Sequence, residues 1–159
     1  MNVFILDRDP VLAAQHQCDR HVVKMVLETA QLLCSIYEPG VAPYRRTHYN
    51  HPCAVWLREA QGNWDWLLEH GNALSAEYTH RYGKRHASAE AIAFCAGHAP
   101  RGSLFSKIDL TAFPQVMPEK YRGDDTVEAY RRYYRAEKAR FAKWTRRPVP
   151  GWFREEEAQ

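Results

Sequence analysis

Apolar positions recur at helical spacing over most of this chain. Val11, Cys18, Val22, Met25, Thr29, Leu32 and Ile36 share one side of a helix that turns about 100° per residue. Gln17, His21, Lys24, Glu28 and Gln31 line up opposite them in one narrow polar stripe. Asp9 followed by Pro10 is a helix start, and Glu38-Pro39-Gly40 is a stop, so the first helix is predicted to run to about Tyr37. The apolar run from Val3 to Leu6 predicts a short strand ahead of it, and Val41 to Asn50 reads as a loop. A second helix is predicted from Pro52 to about Tyr82, with Leu57, Ala60, Trp64, Leu67, Leu68, Gly71, Leu74 and Tyr78 inward and Gly83 as its cap. A shorter helix covers Ser88 to Ala96, and Gly97 to Gly123 reads as an irregular crossing loop. The last helix is predicted from about Asp125 to Thr145, with Val127, Tyr130, Tyr134, Phe141 and Trp144 as its core stripe. Pro148 and Pro150 break it, and Trp152-Phe153 closes the fold. The pattern therefore predicts a mainly α protein, a compact single domain over residues 1–159 with three or four helices and long irregular loops.

Composition narrows the class. Hydrophobic residues make up 45% of the chain, yet no apolar run is long enough for a membrane span or a signal segment, so a cytoplasmic protein is expected. The four cysteines form no CxxC pair and are expected to be reduced and buried. Two small groups, His16, Cys18, His21 and His48, His51, Cys53, have zinc-ligand chemistry but no zinc-motif spacing. Neither a metal nor a cofactor is expected, and no protein partner is predicted.

The net charge of +3 says less than its distribution. Arg131, Arg132, Arg135, Lys138, Arg140, Lys143, Arg146 and Arg147 fall within 17 residues, opposed there only by Glu137. Such density suits a phosphate backbone, with Arg131, Arg135, Lys138, Lys143, Arg146 and Arg147 as the expected contacts. The competing reading is a solvated face balanced by Glu155, Glu156 and Glu157.

Three constellations carry candidate chemistry. In the first-helix stripe, Glu28 suits a general acid or base, or a stabiliser of a cationic sugar. Lys24 suits a phosphate clamp or an amine nucleophile, and His21 a proton shuttle. The plainer alternative is an ordinary Lys24–Glu28 surface pair, worth about 0.2–0.5 kcal/mol. In the loop, Arg45, Arg46, His48, Asn50 and His51 precede a helix N-terminus, where backbone N–H groups favour anions. The alternative there is that Asn50 and His51 only cap the helix. In the third constellation, Trp144 and Trp152 alternate with cations, which suits stacking on an unpaired base; the alternative is core packing. His16 and Gln31 complete the expected substrate contacts.

In this order, the blocks resemble the pyrimidine-dimer DNA glycosylases of phage endonuclease V type. The likeness rests on Leu12-Ala13, Gln15 and His16; on His51, Trp56-Leu57 and the segment to Tyr82-Gly83; and on Glu137-Lys138, Trp144, Arg147-Pro148 and Trp152-Phe153. It implies a small helical enzyme that cuts the glycosidic bond of damaged bases, with His16 at the DNA and the aromatic tail near the lesion. That family attacks the sugar with the α-amine of a threonine exposed when the first methionine is removed. Here Asn2 is too large to permit removal, so Met1 is expected to stay. Val23 stands where the family has its catalytic carboxylate, and Glu28 lies five residues on. The chain also resembles short phage and bacterial proteins through Cys18 to Met25, Asn50 to Cys53 and Phe113 to Pro118, a likeness that implies no activity.

Together these features point to a DNA N-glycosylase-like enzyme acting on modified or damaged bases in duplex DNA with one base extruded. Lyase activity would follow if Lys24 formed a Schiff base. The alternatives are a non-catalytic protein that recognises modified DNA, and an enzyme acting on free nucleotides.

Overall fold

The computed structural model describes residues 1–154. Within them the chain forms seven α-helices and two short 3-10 turns, Gly102–Leu104 and Glu119–Tyr121, and no strand. The helices are α1 (Pro10–Gln15), α2 (Asp19–Cys34), α3 (Pro52–Glu59), α4 (Gln61–Tyr82), α5 (Ala89–Gly97), α6 (Thr126–Lys138) and α7 (Gly151–Arg154). The mainly α class holds, but three or four helices is too few. Each long predicted helix is interrupted by a contact from far along the chain.

The first break falls between α1 and α2. Cys18 is extended, its N–H donates to the Tyr134 hydroxyl at 2.8 Å, and the Asp19 N–H donates to the Lys143 carbonyl at 2.7 Å. Those donors would otherwise have bonded back into one continuous helix. The second break is Ala60, extended at φ −140° and ψ 145°. There the Gln61 and Gly62 N–H groups donate to the Lys107 and Ile108 carbonyls. A Cβ on Gly62 would stand 2.5 Å from the Leu110 nitrogen, so the close approach of this loop requires glycine. The third is the early end of α6 at Lys138. Beyond it the chain turns, Arg146 adopting φ 57°, and brings the Trp144 indole N–H onto the His16 carbonyl at 2.9 Å.

Other features follow the sequence pattern. Asp9 caps α1 by accepting from the Val11 and Leu12 N–H groups, and Gly83 caps α4 in the left-handed conformation at φ 69°. The predicted strand at Val3–Leu6 is instead an extended, fully buried segment without a ladder. The Leu6 N–H turns back onto the Phe4 carbonyl, Arg131 Nε donates to the Leu6 carbonyl, and the Val3 N–H donates to the Asn2 side chain, which also accepts from the Tyr130 hydroxyl and donates to the Val116 carbonyl. All four cysteines are free and buried. Among the described residues no helix is long and apolar enough to cross a membrane.

One buried ion network ties these pieces together. Arg81 is fully enclosed and contacts Glu77 at 2.9 Å, Asp19 at 3.1 Å and the Gln15 carbonyl at 3.0 Å. Glu77 also receives Arg147 in a two-pronged contact at 2.9 and 3.0 Å. Burial works against the Glu77 carboxylate, but the two guanidiniums outweigh it and hold its pKa below the usual range. Glu77→Ala leaves the enclosed Arg81 guanidinium with Asp19 as its one carboxylate partner, so denaturant unfolding should show a loss of about 3 kcal/mol. Arg147→Met removes a partly exposed partner and should cost no more than about 1–2 kcal/mol. Equal losses would mean that Arg81 is not the group that matters.

Candidate functional site

Burial of Val3–Leu6 carries the chain's first residue against the middle of α2. The Phe4 ring stacks on His21, with centroids 4.3 Å apart and planes 9° from parallel. Three residues back, the Met1 α-amine lies 3.7 Å from Glu28 Oε1. Lys24 Nζ lies 3.6 Å from the same oxygen, on the solvent side. Glu28 is only 8% exposed, and its Oε2 is buried without a hydrogen-bond partner. A buried carboxylate oxygen left unpaired is costly, and such groups gather where a ligand or a proton completes them.

The start of α3 closes the other side. His51 caps that helix, its Nδ1 accepting from the Cys53 N–H at 3.1 Å, and its ring lies close to residue 1 and Glu28. Burial lowers the His51 pKa, the neighbouring α-amine and His48 add to this, and the Met1 contact and Glu28 oppose it. The Cys53 thiol is buried beside the same group and is pushed up to about 12, so it is no nucleophile near neutral pH. The loop before α3 is held by cations. Arg46 donates to the Ser35 and Tyr37 carbonyls, closing the end of α2, and both Arg46 and Arg58 lie over the Tyr49 ring at 4.5 and 3.8 Å. His48 takes a left-handed conformation at φ 52° and, with Asn50, is exposed at the tip. Beside this loop an open groove of about 410 Å³ is lined by Leu27, Gln31, Tyr44, Arg45 and Thr47.

The predicted stripe is therefore divided. Lys24, Glu28 and Gln31 face the site or its flank. Gln17 and His21 are buried instead, Gln17 against His70 at 3.3 Å and His21 against Phe4, Phe141 and the Tyr134 hydroxyl. Burial, with Lys138, Lys24 and Arg20 nearby, lowers the His21 pKa from 6.5 to about 3, so the ring is neutral at physiological pH. That is a positioning ring rather than a proton shuttle poised near neutrality.

The expected base-stacking rings are also enclosed. Trp144 is 9% exposed and Trp152 7%, and both indole N–H groups bond to His16, one to its carbonyl and one to Nδ1. His16 is thus held from behind by the aromatic tail. Among the expected backbone contacts, Arg131 pairs with Asp7, Arg135 with Glu128 and Arg147 with Glu77. Lys143 and Arg146 are exposed, and Lys138 lies over the Tyr133 ring at 4.9 Å. Glu155, Glu156 and Glu157 lie outside the described residues.

One cation here, Arg20, was not singled out by the sequence, and another, Arg140, was counted in the basic cluster without a contact of its own. Arg20 lies 4.2 Å over Phe141, and Arg140 lies 5.6 Å from the same ring. With Lys24 and Lys138 they form a basic rim where α2 meets the end of α6. Arg20 stands one helical turn before Lys24, a spacing that could have revealed it. Among the described residues no group of three or more His, Cys, Asp or Glu side chains is arranged to hold a metal.

Comparison with known proteins gives a family match. Residues 1–90 match the family described as pyrimidine dimer DNA glycosylase. No curated protein and no solved structure matches the chain. The matched stretch contains Met1, Lys24, Glu28 and His51, all four groups of the convergence described above.

The buried histidines give the fold a pH signature. His70 is fully enclosed between Pro10, Gln17 and Trp66, and burial lowers its pKa to about 4 against a weaker opposing bond from Pro10. His21 and His70 both bind fewer protons folded than unfolded, so their contribution is complete above pH 6.5 and is lost as pH falls through the window from 6.5 toward 4 and 3. By pH 4 each should cost on the order of 3 kcal/mol, read as a falling denaturant midpoint. His21→Phe should flatten that fall by roughly half; an unchanged slope would remove His21 from the account.

Proposed function

The chain belongs to the pyrimidine dimer DNA glycosylase family, and from that premise we propose that it is a DNA N-glycosylase acting on modified or damaged bases, with Glu28 as its central carboxylate. The observation that carries this reading is the contact of a buried, half-satisfied carboxylate with an α-amine at 3.7 Å. Glycosidic cleavage builds positive charge on the sugar, and a fixed anion lowers the energy of that state. Glu28 supplies the anion. The Met1 ammonium is the nucleophile's resting form: it gives one proton to the departing base, and the freed amine adds to the sugar C1′ as the glycosidic C–N bond breaks. The base leaves with that bond's electron pair, and the sugar-bound amine passes its next proton to Glu28. Water then hydrolyses the sugar–amine adduct and restores the amine.

The other residues take supporting parts. Lys24, with Arg20, Lys138 and Arg140, holds the phosphates that flank the target, since phosphate contacts fix register without reading sequence. His51 borders residue 1 from the start of α3, and His21 positions it through the stack on Phe4. Gln31, Arg45, His48 and Asn50 border the open side, where the extruded nucleotide sits. His16, Trp144 and Trp152 join α1 to the C-terminal segment and support the frame from within.

The test is base release from duplexes carrying a panel of modified pyrimidines and purines, a thymine dimer among them. On any duplex that the unaltered protein processes, Glu28→Gln should slow release by about a hundredfold or more and leave DNA affinity within a few fold. Unchanged turnover would remove Glu28 from the chemistry. Tight, salt-sensitive binding with no release from any duplex would instead support a protein that only recognises modified DNA.

A further inference from the structure

The exposed edge of α2 carries a feature that the reaction above does not use. Its solvent-facing positions are Arg20, Val23, Lys24, Leu27 and, in part, Gln31. Within that cationic and polar strip Val23 is 43% exposed and Leu27 40%. They stand one turn apart on the same helix face, and Leu27 directly precedes Glu28. Two aliphatic side chains held open to water have no folding role that requires them there. Cations flank them on two sides: Arg20, Lys24, Lys138 and Arg140 on one, and the exposed Arg45 beside Leu27 on the other.

We propose that Val23 and Leu27 form an apolar wedge that enters duplex DNA where the target nucleotide has left the stack. The proposal rests on the glycosylase reading above. Extruding one nucleotide leaves a gap of about 7 Å between the neighbouring bases, two steps of about 3.4 Å each. Proteins that unstack DNA fill such gaps with aliphatic side chains and so recover part of the unstacking cost. Side chains at i and i+4 are about 5–6 Å apart, which lets Leu27 occupy the emptied layer while Val23 packs on the adjoining sugars. The helix that presents them is rigid, being buried on nearly every other face. Their place beside Glu28 puts the filled gap next to the carboxylate that receives the extruded sugar.

The experiment compares two short duplexes of the same sequence, one fully paired and one with a single tetrahydrofuran abasic site, which offers a ready-made gap. The unaltered protein should bind the gapped duplex several-fold more tightly. Val23→Ala with Leu27→Ala should lose at least about fivefold of that preference, while affinity for the paired duplex stays within about twofold. Both positions are exposed, and an unchanged thermal melt checks that the fold survives. Equal weakening on both duplexes, or a preference that the double variant keeps, would overturn the wedge. Glu28→Gln separates this from the chemistry. If the unaltered protein releases no base yet shows a gap preference that depends on Val23 and Leu27, the wedge stands and the glycosylase reading falls.

Discussion

The whole site depends on the burial of Val3–Leu6. These four residues are too apolar to lie in water and have no strand to pair with among the described residues, so α2 and α6 enclose them. Arg131, Tyr130 and Asn2 satisfy the polar groups of this segment and its start, and the Phe4–His21 stack fixes its depth. Once these are set, residue 1 has only one place to go, which is the buried side of Glu28. The position of the α-amine is therefore a consequence of core packing and not of a local loop preference. Its carboxylate partner is left with one oxygen paired to cations and the other to nothing.

Charge is divided between framework and surface. The buried set of Arg81, Glu77, Asp19 and Arg147 clamps α4 to the start of α2 and to the C-terminal segment. Arg131 and Arg135 are spent in the same way, on Asp7 and on Glu128 with the Trp152 carbonyl. Lys24, Arg20, Lys138 and Arg140 instead form a compact rim at the junction of α2 and α6, beside Glu28. Part of the basic cluster thus builds the fold, and another part surrounds the candidate site.

Much of this was legible in the sequence. Apolar spacing located every major helix, and Asp9-Pro10 and Gly83 marked ends that the structure keeps. The helix breaks were not legible, because the groups that impose them lie 47 to more than 100 residues away: Lys107 for Ala60, Tyr134 for Cys18. Within the site, Lys24 and Glu28 emerged from the 100° stripe because they share a helix face. The same stripe misjudged His21 and Gln17, since periodicity tells which residues share a face and not whether another segment covers it. Trp144 and Trp152 read equally well as stacking platforms or as core until the partner of each indole N–H was known. The α-amine contact was not legible for a further reason: Asn2 bears on whether Met1 is removed, whereas the contact depends on how deeply Phe4 is buried.

The most direct test of the account is reductive trapping. The protein is incubated with processed duplex in the presence of borohydride, and the cross-linked peptide is mapped by mass spectrometry. The account predicts a stable protein–DNA adduct on the amine of residue 1, abolished when that amine is acetylated and strongly reduced by Glu28→Gln. An adduct on the Lys24 side chain, or full base release by protein whose residue 1 is blocked, would contradict it.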